Sequence, residues 1–251
     1  MPTSESGKRT LRKRPTPRDV LIAPSLICAD LCNLERAIQE FEAVGVDLLH
    51  VDVIDAQFSP CMPIGIETVA QLRRKTKLPF DVHLMVKDNE FFVREFTPIG
   101  AQRLCFHVES AFHIDRILNL IREQGILAGV ALMPATPLCA LDYIVEQLDF
   151  VTLSLISPGF ANSKSGAQVP YAVRKVADCR RYLDERGRAI PIQVDGRVSF
   201  ATIPGLVAAG ADILVAGSTS LFDKSGSLAQ NAAKMRDAIQ RGLEMRREKH
   251  D

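Results

Sequence analysis

Residues 33–53, NLERAIQEFEAVGVDLLHVDV, change period in the middle, and that change decides the fold. From Asn33 to Val44 apolar residues recur three or four apart among charged ones, so the segment predicts an amphipathic helix. Gly45 follows where a helix C-cap wants glycine. Leu48 to Val53 is then a short β-rich run in which side chains alternate, so that His50 and Asp52 point one way and Val51 and Val53 the other.

Outward from this stretch the same succession recurs. The β-like runs are Val20 to Pro24, Leu48 to Val53, Phe80 to Met85, Arg103 to Val108, Leu127 to Leu132, Phe150 to Ile156, Ile190 to Val194 and Ile213 to Ala216. The helical stretches are Asn33 to Val44, Glu67 to Lys75, Asn89 to Ile99, Ala111 to Glu123, Leu138 to Gln147, Tyr171 to Glu185, Phe200 to Ala209 and Leu228 to Arg247. Gly100 and Gly210 repeat the role of Gly45. Regular strand–helix alternation is the mark of parallel βαβ units. With eight of each, closure into a barrel removes both sheet edges. A length of 251 residues, 47% of them hydrophobic, suits a barrel of roughly 250 residues. The expected fold is α/β, a single-domain (β/α)8 TIM barrel over residues 20–251. Residues 1–19, with Lys8, Arg9, Arg12, Lys13, Arg14 and Arg18 among Ser, Thr and Pro, are expected to be a disordered basic N-terminal extension.

The charge is balanced, 31 Lys and Arg against 30 Asp and Glu, so no global field points to nucleic acid or an acidic membrane. A small polar ligand is the expected partner. No apolar run reaches the roughly 18–20 residues of a membrane span, and no signal-peptide core is evident. The six cysteines are scattered without a disulfide or zinc-knuckle spacing, which reads as reduced thiols in a cytoplasmic protein.

In such barrels the active site is built at the C-terminal ends of the strands. His50 and Asp52 from the second strand, His83 from the third and Asp195 from the seventh converge there, and two imidazoles with two carboxylates make a complete ligand set for one divalent metal. Strands 2 and 7 lie three steps apart around the ring, so Asp52 and Asp195 flank a ligand from opposite sides. Paired carboxylates of this kind suit a reaction in which a proton leaves one face of a carbon and returns to the other, as in epimerisation beside a carbonyl. Acid–base help is worth roughly 10²- to 10⁴-fold against enzyme accelerations that begin near 10⁶, and a metal stabilising the enediolate by several kcal/mol closes the gap. After strands 6, 7 and 8, Ser157-Pro158-Gly159-Phe160, Asp195-Gly196-Arg197 and Gly217-Ser218-Thr219-Ser220 offer backbone amides and hydroxyls for an anion.

Ala23-Pro24-Ser25, His50-Val51-Asp52-Val53 with Asp55, Asp81-Val82-His83-Leu84-Met85, His107-Val108-Glu109, Pro134-Ala135-Thr136-Pro137, Pro158-Gly159-Phe160, Val194-Asp195-Gly196 and Ala216-Gly217-Ser218 stand in this order along the chain. In them the chain resembles the ribulose-phosphate 3-epimerase family over residues 20 to 235. The resemblance implies a divalent metal held by His50, Asp52, His83 and Asp195, with Asp52 and Asp195 doubling as the catalytic acid and base. Ser25 and Met85 would line the substrate, and Pro158, Gly159, Phe160, Gly196, Gly217 and Ser218 would take the phosphate. Zinc is the metal expected of a His₂Asp₂ set, and iron, manganese or cobalt also fit it. Barrels of this family tend to be homo-oligomers.

Four departures bear on substrate choice. Ile54 and Ser154 stand where the family has methionines, and Ala56 and Arg197 where it has glycines; the loop after strand 6 is also longer. Arg197 is expected to point at the phosphate as a charge-assisted donor. The expected function is metal-dependent 3-epimerisation of a ketose phosphate, with ribulose 5-phosphate and xylulose 5-phosphate as the first pair. An allulose-6-phosphate 3-epimerase and a catalytically inactive sugar-phosphate binding protein are the alternatives. A phosphate-barrel decarboxylase would need a lysine near strand 2, and none lies between His50 and Leu72.

Overall fold

The computed structural model describes residues 20–158 and 166–248. Eight strands form one sheet: β1 (Leu21–Pro24), β2 (Leu49–Ile54), β3 (Phe80–Met85), β4 (Arg103–His107), β5 (Leu127–Leu132), β6 (Phe150–Ser154), β7 (Ile192–Asp195) and β8 (Ile213–Ala216). Every ladder is parallel and the order runs β1-β8-β7-β6-β5-β4-β3-β2. A parallel bridge between Ser25 and His50 brings the two edges together, so the sheet is a nearly closed (β/α)8 barrel. Seven α-helices accompany it among the described residues: α1 (Leu34–Ala43), α2 (Ile66–Arg73), α3 (Asn89–Ile99), α4 (Ile114–Glu123), α5 (Ala172–Glu185), α6 (Ile203–Ala209) and α7 (Leu228–Glu248).

The alternation seen in the sequence sorts the side chains. Val51, Val82, Leu104, Val130, Val151 and Val194 turn outward into the main core beneath the helices. Inward positions pack a second, smaller layer of Cys105, Leu127, Ala131 and Phe150. Gly129 belongs to this layer because of space: a Cβ there would lie 2.6 Å from the ring of Phe150. β2, β3 and β5 are buried along their whole length, as expected of strands covered on both faces.

One expected helix is not an α-helix. Leu138 to Gln147 forms two 3₁₀ turns, Leu138–Leu141 and Val145–Gln147. Its bonds run from each amide to the carbonyl three residues back, as in Ile144 to Leu141 and Gln147 to Ile144. Leu138, Leu141 and Ile144 face the core every third residue, which is the 3₁₀ period. Ala111 to Glu123 is also shortened, since the helix begins at Ile114 after a 3₁₀ turn at Val108–Ser110. β7 extends to Asp195, one residue beyond expectation, and this puts the carboxylate on the strand itself. Gly45, Gly100 and Gly210 have φ of 70°, 88° and 118°. No described helix is long and apolar enough to cross a membrane, and all six cysteines are free. The basic segment of residues 1–19 and the loop residues Gly159 and Phe160 lie outside the described residues.

Candidate active site

His50, Asp52, His83 and Asp195 come together at the barrel mouth, each with a ligand atom within 4.8 Å of the others. Register explains the meeting, since Asp52 pairs with His83 across β2 and β3, and β7 ends on Asp195. Both imidazoles are fully buried and Asp52 nearly so, while Asp195 stays partly open. His50 Nε2 lies 3.2 Å from Asp52 Oδ1, and His83 Nδ1 lies 3.6 Å from Asp52 Oδ1 and 3.5 Å from Asp195 Oδ2. Neither nitrogen has a hydrogen-bond partner among the described residues. Two buried imidazole nitrogens without partners, converging with two carboxylates, are the donor set a divalent cation requires.

The opposite nitrogens are held from behind. His50 Nδ1 donates to Asp81 Oδ2 at 2.7 Å, and Asp81 Oδ1 accepts from Arg103 Nε at 2.9 Å. Arg103 Nη2 donates to Gln193 Oε1 at 3.1 Å, and the guanidinium lies 3.8 Å above the Phe150 ring. On the other side His83 Nε2 and His107 Nε2 are 3.0 Å apart, and His107 Nδ1 is 3.1 Å from Glu109 Oε2. Because a carboxylate only accepts, His107 carries its proton on Nδ1; its Nε2 then accepts from His83, which leaves the lone pair of His83 Nδ1 facing Asp52 and Asp195. Glu109 is anchored in turn by the Met133 amide at 2.7 Å and the Thr136 hydroxyl. Lys175 Nζ ties down the carbonyls of Met133, Pro134 and Thr136 at 2.6–3.0 Å. Such outer partners fix the orientation and tautomer of ligating histidines.

The charges follow this layout. Burial opposes charge on His50, yet Asp52 and Asp81 outweigh it and raise its pKa well above the ordinary imidazole value. For Asp52 burial is likewise outweighed by His50 and His83, which hold the carboxyl well below the usual range. Asp81 is held low against burial by Arg103 and His50. Glu109 drops to about 2, its burial outweighed by hydrogen bonds from His107, Thr136 and the Met133 amide.

Over Asp52 and Asp195 opens a cavity of about 410 Å³. Ser25 lines it and donates to Asp52 Oδ2 at 2.5 Å. Met85 and its register partner Ile54 form an apolar wall. Pro158, Gly196, Arg197, Gly217 and Ser218 reach the rim from the loops after β6, β7 and β8. Gly196 needs to be glycine, because φ is +107° and a Cβ would sit 2.7 Å from Ile156 Cγ1. Ala56 and Arg197 are the two non-glycine residues with positive φ among the described residues, at 60° and 49°. Both are positions where the resemblance implies glycine, and the left-handed backbone found there is the one glycine adopts at least cost.

The sequence reading missed Asp81, Arg103 and Glu109 as a supporting layer, and His107 with them. The signal was present, since Asp81 and His83, like Arg103, Cys105 and His107, alternate inward just as His50 and Asp52 do.

The profile of the Ribulose-phosphate 3 epimerase family matches residues 21–222. Ribulose-phosphate 3-epimerase of Escherichia coli K12 is 40% identical over 208 residues, covering 82% of this chain and 91% of its own. The Bacillus subtilis enzyme of the same name is 38% identical over 200 residues, covering 79% and 91%. Among solved structures, 3-keto-L-gulonate-6-phosphate decarboxylase from Vibrio cholerae superposes with a TM-score of 0.68 over 89% of this chain and 98% of its own. At 15% identity this last likeness concerns the barrel alone.

Proposed function

The chain belongs to the ribulose-phosphate 3-epimerase family, a family of isomerases, and from that premise we propose that it inverts carbon 3 of a ketose phosphate, interconverting ribulose 5-phosphate and xylulose 5-phosphate. The observation that carries the reading is the convergence of Asp52 and Asp195 with the two partnerless imidazole nitrogens at the floor of one cavity.

His50 Nε2, His83 Nδ1 and the carboxylates of Asp52 and Asp195 would hold a divalent metal. Zinc is favoured by the His₂Asp₂ set, and iron, manganese and cobalt are compatible with it. Such an ion supplies positive charge where the substrate's oxygens become negative. Asp52 and Asp195 act as the acid–base pair, one removing the carbon-3 proton and the other returning one to the opposite face. The Ser25 hydroxyl fixes Asp52 through Oδ2. Ile54 and Met85 keep water from the reacting carbon. Pro158, Gly196, Arg197, Gly217 and Ser218, with Gly159 and Phe160, are assigned to the phosphate. Amides and hydroxyls on three neighbouring loops support that assignment.

A proton NMR time course in D₂O tests the reading. With metal-loaded protein and ribulose 5-phosphate, followed by allulose 6-phosphate, deuterium should enter carbon 3 as the 3-epimer appears. The faster substrate identifies the natural ketose class, and absence of exchange on both despite bound metal would overturn the proposal.

A further inference from the structure

Ser154 ends β6 with an unmet need. The residue is 1% exposed and lines the cavity, and its buried Oγ has no hydrogen-bond partner among the described residues. Buried hydroxyls are almost always paired, and alanine would pack here without an unpaired group. The opposite wall, Ile54 and Met85, is apolar. Ser154 thus sets an unpaired hydroxyl in the cavity wall, whereas the hydroxyl of Ser25 is engaged by Asp52.

Its place in the sheet says which part of a ligand it meets. Ser154 pairs in register with Asp195, the proposed acid–base carboxylate. Two residues further along the chain Ile156 packs beneath Gly196, at the start of the rim assigned to phosphate. A ketose phosphate lying between Asp195 and that rim would carry the carbons between the epimerised centre and the phosphate past this point. We propose that Ser154 is a specificity-determining residue whose Oγ hydrogen-bonds the hydroxyl on the carbon next to the epimerised one, on the phosphate side, which is carbon 4 of a pentulose 5-phosphate. The assignment rests on the epimerase reading above and selects for ketose phosphates that carry that hydroxyl.

The test compares ribulose 5-phosphate with its 4-deoxy analogue, by kcat/KM and by Kd, in the metal-loaded wild type and in Ser154→Ala. The wild type should favour the hydroxylated compound by about 10- to 100-fold, the effect of leaving one buried hydroxyl unpaired. Ser154→Ala should lose most of that preference by weakening the parent compound alone, and its melting temperature should not fall. An equal preference in both proteins, or a variant destabilised by loss of the hydroxyl, overturns the assignment. A wild type that neither binds nor turns over ribulose 5-phosphate overturns the epimerase reading itself, and this assignment with it.

Discussion

Arg103 is the largest fully buried side chain of the barrel, and replacing it tests how the site is held. Its guanidinium donates to one oxygen of Asp81, whose other oxygen accepts from His50. Arg103→Met fills most of the volume but leaves a completely buried carboxylate with only the imidazole beside it. Stranding one partner of a buried pair costs about 3–5 kcal/mol. The stacking on Phe150 adds up to about 2 kcal/mol, of which the methionine sulfur recovers a part. A net loss of about 4 kcal/mol is therefore expected, a large share of a typical stability of about 5–15 kcal/mol. Asp81→Asn in the same background removes the charge while keeping an oxygen for His50 Nδ1–H, so the double variant should regain about 2 kcal/mol or more. Urea melts of the four metal-free proteins measure the cycle. Costs that add to within about 0.5 kcal/mol would refute the reasoning, because they would show that the two groups are not coupled.

Glu109→Gln should change the acid limb of stability. The wild-type carboxyl sits at about 2 against an ordinary 4.5, so its contribution is fully present above pH 4.5 and is lost as the pH falls toward 2. It is worth at most about 3 kcal/mol, with rather more than half gone by pH 3. The stability gap between wild type and variant should shrink accordingly from pH 6 to pH 3, and a constant gap would sink the argument. Arg197→Gly should raise KM for the ketose phosphate while metal content is unchanged. Because φ is +49° there, the same change should relieve up to about 1 kcal/mol of strain in a thermal melt. Asp195→Asn should fold normally and exchange no deuterium at carbon 3, since an amide does not accept the proton; retained exchange would remove Asp195 from the mechanism.

Much of this molecule is written in alternation. The period-two pattern of residues 48–53 put His50 and Asp52 on one face before any strand partner was known, and the eight recurrences implied closure. The supporting layer escaped for a physical reason. Arg103 and Asp81 each look anomalous within a single strand, and only the register that sets Asp81 beside Arg103 turns two buried charges into one neutralised pair. Register between strands is a tertiary property and no single run encodes it. The 3₁₀ turns after β5 were hidden in the same way, because Leu138, Leu141 and Ile144 satisfy a helical pattern loosely and a three-residue period exactly as well.

The departures from the family pattern have a distribution of their own. His50, Asp52, His83 and Asp195 lie in the motifs that carry the resemblance and are braced from inside the barrel by Asp81, Arg103, His107 and Glu109. Ile54, Ser154 and Arg197 lie on the cavity wall or rim, and Ala56 follows β2 in the loop at the same end. At Ala56 and Arg197 a left-handed backbone suited to glycine carries a side chain that strains it, by about 1 kcal/mol each. Strained loop residues on a rigid scaffold are where ligand-specific features collect. On that argument the substrate choice of this chain is to be sought in how Ile54, Ser154 and Arg197 meet the sugar chain, rather than in the four residues proposed to hold the metal and move the proton.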